Sequence, residues 1–367
     1  MEYFVIFLFS ILFSFYADKT YKNKVLFLFF SMLAITPLIL MAGYRDENIG
    51  VDTLAYPQQT LDFIESIDNI SQLNLLGLIV EPLYVLLGKI SFLIGGNNLM
   101  VLLLFQHIII VSNFYIAFVK FRNNVPIWIG MTMFCFLFYN MSLNLQRQMI
   151  AISFIFLATI YLLNGKKNKS IILYIIAFLF HKTSIIALLI YVSLYKRNVK
   201  WCKYSIAFSF LLLIAYSEIM SLIVKLPYFS KYMTYQQGNT YDSFFSITEF
   251  VTRLFFLWIL FRYSILTRKS ILSQCVFLLF ICEFIINLTQ LYSQFVGRFG
   301  YGLFVLYALF LPYFAFCYKN NTGRIRIRKV ITSISITFII FSWWYVYIIS
   351  NAGETYPYSS RLISGLF

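Results

Sequence analysis

The chain is a near-continuous succession of apolar runs, most approaching the length of a membrane-crossing helix, joined by short loops rich in Lys and Arg. A run of about 20 apolar residues covers the ~30 Å hydrocarbon layer as a helix, and in that layer only helices and closed barrels satisfy their own backbone. Candidate helices are about 2–17, 24–43, 98–119, 125–141, 143–164, 203–224, 247–266, 271–291, 296–317 and 329–349. The expected fold class is therefore all-α: a polytopic integral membrane protein, one transmembrane domain over 1–367. Only 12% of residues are charged, against roughly a quarter in soluble domains. Tyr3–Ala17 reads as a retained first span rather than a signal peptide, because Glu2 replaces a basic leader and no small-residue cleavage site precedes Lys19. The five cysteines lie mostly inside apolar segments, without a C-x-x-C, and are expected to pack as small apolar residues.

Charge sets the topology. The loops 18–24, 120–124, 165–169, 196–203, 262–270 and 318–329 hold 20 of the 29 basic residues and a single acid, Asp18. A net charge of +15 distributed in this way is a positive-inside pattern, not a nucleic-acid surface. Two apolar pieces complicate the count. Residues 82–95 are too short to cross untilted, and 169–195 is broken by His181-Lys182-Thr183. All the basic loops share one side only if 82–95 does not cross and 169–195 enters and returns. The expectation is about ten transmembrane helices plus a re-entrant-type helical hairpin with His181 at its tip. Both termini and the loops 44–97 and 225–246 then face outward. If both pieces cross fully, the intervening basic loops fall outside, which the rule disfavours.

One stretch breaks the apolar pattern. Residues 42–57 are strongly polar, and seven of the fourteen carboxylates fall between Asp46 and Glu81. A loop this long between packed elements is usually functional or disordered. Gly43 and Gly50 permit tight backbone geometry, while Arg45, Asp46, Asp52, Thr53 and Tyr56 offer charge and hydrogen bonds. A plain solvated loop is the competing account.

Four groups of residues then occur in order: Arg45-Asp46 with Gly50-Val51-Asp52-Thr53 and Tyr56; Arg147-Gln148 with Ala151; Phe180-His181-Lys182-Thr183-Ser184; and Pro357-Tyr358. From about residue 42 to the end, this order resembles the signature of the EpsG-like and Wzy-type polymerases of bacterial surface polysaccharides. The resemblance implies a GT-C-like membrane glycosyltransferase acting on the outer side of the inner membrane. It implies donor and acceptor oligosaccharides linked to undecaprenyl diphosphate, with membrane lipid as a further partner and no nucleic acid. A chain-length regulator in the membrane is kept as an additional partner. Cationic side chains can substitute for a metal at a diphosphate, so no cofactor is expected.

Several residues are candidates for the chemistry. Arg147, near the outer start of a helix, offers a planar fork of donors suited to diphosphate, with Gln148 beside it; alternatively it snorkels or pairs with a loop carboxylate. Arg45 and Arg298 are further phosphate candidates, and Tyr56 and Glu81 complete the substrate-binding set. His181 is expected as a proton acceptor because a helix break at membrane depth lines a cavity or is buried in protein; Asp52 and Asp46 compete for that role, and an Asx-type turn is an equal account of Asp52. His107 is expected to be a packing residue. Glu249 and Glu283, inside helices, rank behind the loop carboxylates. No P-loop, Rossmann fingerprint, G-x-S-x-G, zinc motif or D-x-D appears. A lipid-linked oligosaccharide flippase and an outer-face glycan ligase or acyltransferase remain as alternatives, although a flippase would more plausibly show paired repeats.

Overall fold

The computed structural model describes residues 2–66, 81–196, 198–215, 218, 243–266, 270–288, 294–316 and 322–360. Most of the loop at 225–246, the stretch 67–80, Cys317 and the side chain of Glu249 lie outside them. Among the described residues the protein is a helical bundle, and an isolated antiparallel bridge joins Arg45 to Ser360. The ten predicted segments are largely helical where described, but 143–164 is broken at Leu145, its first two residues ending the preceding helix, and 296–317 is broken at Val305. Among the described residues six runs are long and apolar enough to cross a membrane: Lys24–Gly43, Leu99–Phe121, Ile127–Asn144, Gln146–Leu163, Ile271–Leu288 and Thr332–Ile349. Glu2–Lys19 carries three charged residues at its ends, and the helical run at 294–316 is interrupted at Val305.

Asparagines start several of these helices. Asn23 Oδ1 accepts from the Val25 and Leu26 N–H groups at 3.1 and 3.2 Å, Asn98 from Met100 at 3.0 Å and Asn198 from Lys200 at 2.9 Å. At the centre Phe114 packs on Phe134, Phe138 and Phe156, with ring centroids 4.6, 5.6 and 4.8 Å away. These contacts fix the directions. Phe118 abuts Gly130 while Phe114 reaches Phe138, so Leu99–Phe121 and Ile127–Asn144 are antiparallel. Asn113 meets Ser153 and Phe118 meets Phe156, so Leu99–Phe121 and Gln146–Leu163 are parallel. The chain reverses between them at Leu145, whose ψ of 48° leaves the helical range.

Among the described residues, the basic loops 18–24, 120–124 and 165–169 gather at one end. Arg122 lies 3.9 Å from Asp18 and over the ring of Tyr21, and Lys120 and Lys169 both lie over Tyr161. The expected hairpin is present: Lys167–Phe180 ends at His181, a 3₁₀ turn spans Lys182–Ile186, and Ala187–Lys196 returns. Tyr174 packs against Tyr191 at 5.9 Å, and Lys167 Nζ donates to Tyr195 OH at 3.3 Å, so both feet stand at the basic end. Each arm rises about 1.5 Å per residue, which carries His181 to the level of Gln148. Cys135, Cys202, Cys275 and Cys282 are buried thiols. His107 is buried too, its Nδ1–H donating to Leu103 O at 2.9 Å, as a packing residue should.

Candidate active site

At the end of the bundle opposite the basic loops, the polar stretch 44–53 is clasped by the tail 351–360. The Asp46, Gly50 and Val51 N–H groups donate to Ser359, Glu354 and Gly353 carbonyls at 3.1, 3.0 and 3.3 Å. Tyr358 OH donates to Met41 O at 2.8 Å and Tyr3 OH to Thr355 O at 2.7 Å, so the first helix and the tail segment 351–360 are both tied into the clasp. Two glycines allow the approach. Gly50 has φ +90°, and a Cβ there would lie 2.8 Å from Leu143 O; Gly353 has φ +72° and sits against the Asn144 amide.

Arg45 holds this loop from below. It is buried, with Nη1 donating to Ala42 O at 3.0 Å and Nη2 to Leu143 O and Thr53 Oγ1 at 3.0 and 3.2 Å. Burial lowers its pKa to about 10, so it stays charged at neutral pH. Two carbonyls and a hydroxyl occupy much of the fork that was expected to meet phosphate. Asp46 faces the tail, within Coulombic reach of Tyr358, and no described contact brings it to His181.

The other candidates converge on Glu81. His181 Nδ1–H donates to Glu81 Oε1 in a short contact, and Arg147 Nη1 lies 2.9 Å from Glu81 Oε2. The helix break puts His181 there, because it ends one arm of the hairpin in extended backbone (φ −157°, ψ 121°). Leu145 does the same for Arg147, which starts a new helix at the mouth of the bundle. The Arg147 guanidinium lies over Tyr56 at 4.3 Å and Tyr84 at 5.6 Å. Tyr56 belongs to a π-helical turn, Leu54–Gln58, that contains Pro57. Gln148 Nε2 donates to Arg298 O at 2.5 Å and reaches Thr183 Oγ1 at 3.5 Å, joining the hairpin tip to the Arg298 helix.

Electrostatics follow from this packing. Burial works to raise the Glu81 pKa, but His181, Arg147 and Lys182 together outweigh it and hold the carboxyl below its ordinary value. Asp52, half-buried, is shifted the other way: burial raises it against the pull of Arg298 and Arg147. In the neutral ring, with Nδ1–H committed to Glu81, the lone pair is on Nε2, and among the described residues that atom has no hydrogen-bond partner. A carboxylate-oriented imidazole flanked by a guanidinium can accept a proton beside a developing negative charge.

Sequence reasoning placed Glu81 with the substrate-binding residues; the structure gives it His181 and Arg147 as direct partners. It missed Tyr84, which lies beneath Arg147 and accepts from Gln106 Nε2 at 2.8 Å. The available signal was its position three residues after Glu81 at the start of a helix, where i and i+3 share a face. Lys182 was noted as a neighbour of His181 but not as part of the charge around Glu81.

Neither a curated protein nor a solved structure matches the chain. The model of one family does, over residues 28–360, a range that contains Arg45, Asp52, Tyr56, Glu81, Arg147, Gln148, His181 and Arg298. On that match the chain belongs to the EpsG family, whose members are Wzy-type polymerase-like proteins of polysaccharide biosynthesis.

Proposed function

We propose that the protein is a polysaccharide (O-antigen type) polymerase. It transfers an oligosaccharide from undecaprenyl diphosphate to the terminal sugar of another lipid-linked repeat unit, on the periplasmic face of the bacterial inner membrane. The observation that carries this reading is the Glu81–His181–Arg147 cluster at the end of the bundle away from the basic loops. In the reaction the acceptor hydroxyl attacks the anomeric carbon of the donor glycan. The new C–O bond forms as the bond to the diphosphate oxygen breaks, and the electron pair leaves with undecaprenyl diphosphate. His181 Nε2 takes the hydroxyl proton, while Glu81 holds the ring tautomer and stabilises the imidazolium that forms. Arg147 and Arg298 stabilise the leaving diphosphate, and Lys182 adds positive charge at the hairpin tip. Leaving-group charge is the larger demand, so fixed cations matter more than a strong base. Asp52 positions its loop against the two arginines.

Two experiments test this. In a deletion strain, a lipopolysaccharide gel should show single-unit chains; loss of every unit would favour a flippase or ligase. With purified protein and lipid-linked repeat units, His181→Ala should abolish polymer formation and His181→Gln should retain a trace. Near-normal turnover in His181→Ala, with Asp52→Asn inactive, would move the base role to the aspartate.

A further inference from the structure

A second buried charged cluster lies outside the site. Arg253 and Glu283 stand on Ser243–Leu266 and Ile271–Leu288, with side chains 3% and 0% exposed. Arg253 Nε donates to Glu283 Oε1 at 2.8 Å, and Tyr307 OH donates to Glu283 Oε2 at 3.2 Å. The guanidinium also lies over the ring of Phe304, 5.0 Å from its centroid. Phe304 and Tyr307 bracket Val305, where the helical run stops and restarts as Gln294–Phe304 gives way to Leu306–Phe316. A buried ion pair generally adds little stability over well-packed apolar side chains, and inside an apolar bundle such groups mark function. Here the pair grips both sides of an interruption: one through the Tyr307 hydroxyl, the other through the face of Phe304. The helix on the far side reaches the site, where Arg298 O accepts from Gln148 and Gly302 packs on Ile186 of the hairpin.

We propose that Arg253, Glu283 and Tyr307 are positioning residues that fix the angle between Gln294–Phe304 and Leu306–Phe316, and so hold Arg298 against the tip of the hairpin. Glu283 is the centre of the device, because its two oxygens engage partners from two other helices. An apolar replacement fills the space but carries no direction. The proposal concerns the shape of the bundle and stands whether or not the protein polymerises glycans.

The test reads that shape directly. An ideal Cβ on Gly302 lies 2.7 Å from the Ile186 Cγ2 methyl, which Ile186→Cys removes. The full-length Ile186→Cys/Gly302→Cys chain, oxidised in native membranes, should form a disulfide that mass spectrometry reads as a peptide linking positions 186 and 302. Adding Glu283→Gln should slow that cross-link about fivefold or more. Because a lone buried guanidinium can prevent folding, the deciding chain carries Arg253→Met with Glu283→Leu, which leaves no unpaired charge. It should accumulate normally and still cross-link about fivefold more slowly. Cross-linking at the parent rate in that chain would overturn the proposal, since neutralised charge alone would then suffice.

Discussion

At the scale of single residues, the site rests on which side chain faces which partner. Arg147 binds Glu81 through Nη1 at 2.9 Å and stacks on Tyr56. A lysine keeps the charge but not the planar fork or the stacking face. Arg147→Lys is therefore expected to lose polymer yield about as severely as Arg147→Ala, by roughly 100-fold in an in vitro assay; full activity in the lysine variant would reduce Arg147 to a generic interfacial charge. Glu81 makes a pH-dependent contribution with a definite sign. Its folded pKa lies below the ordinary 4.5 because His181 and the nearby cations outweigh burial. As pH falls, the unfolded chain takes up this proton first, so the stability Glu81 contributes is complete above 4.5 and fades as pH drops through the lowered folded value. The melting temperature of Glu81→Gln in detergent should then fall less steeply between about pH 6 and 4 than that of the parent chain. Parallel curves would show that the ion pair adds no net stability. Sequence showed that these groups are charged and lie in polar stretches or at breaks. It did not show that Arg45 turns inward to Leu143 O across 98 residues, because pairing at that separation leaves no local pattern.

At the scale of elements, breaks do the positioning. The hairpin was legible because His181-Lys182-Thr183 interrupts an apolar run too long for one arm, and its feet do meet at Lys167 and Tyr195. The Leu145 reversal was not legible at its true position, because the apolar run 143–164 reads as one helix across it, whereas Leu143 and Asn144 belong to the preceding helix. The clasp was not legible either: the C-terminus was expected only to face outward, whereas the tail's bonds to residues 44–51 are specific and join positions more than 300 apart. Gly50 is the sensitive point of that clasp. At φ +90° a Cβ is strained, and it would press on the Leu143 carbonyl, which Arg45 already holds. Gly50→Ala is expected to cost about 1–2 kcal/mol or more. It should lower the melting temperature and detach the 44–53 loop, which limited proteolysis would report. An unchanged melting temperature and cleavage pattern would mean that the loop is held without this turn. The Arg253–Glu283 pair was equally invisible as a pair, since thirty residues and a helix reversal separate partners that only the packed bundle brings within 2.8 Å.

At the scale of the whole molecule, charge and site occupy opposite ends. Lys19, Lys120, Arg122, Lys167 and Lys169 gather where Asp18 and Tyr161 stand, and Glu81, Arg147 and His181 gather where the tail folds back. Basic loops are retained in the cytoplasm, so this polarity predicts an outward-facing site and a hairpin that enters from the cytoplasm without leaving it. A reporter active only in the periplasm should work when fused at Asn69, Gly238 or Phe367 and fail at Asn168, Arg197 or Asn321. The fusion at Arg197 bears on the fold most directly, because it follows the second arm of the hairpin. In the structure Tyr195 returns to Lys167, so positions 168 and 197 must report the same side. A periplasmic signal at Arg197 with none at Asn168 would mean that 169–195 crosses completely, which the Tyr174–Tyr191 packing forbids. Signals inverted at every position would keep the hairpin and reverse the molecule, turning the site toward the cytoplasm. The polymerase reading would then fail while the fold stood.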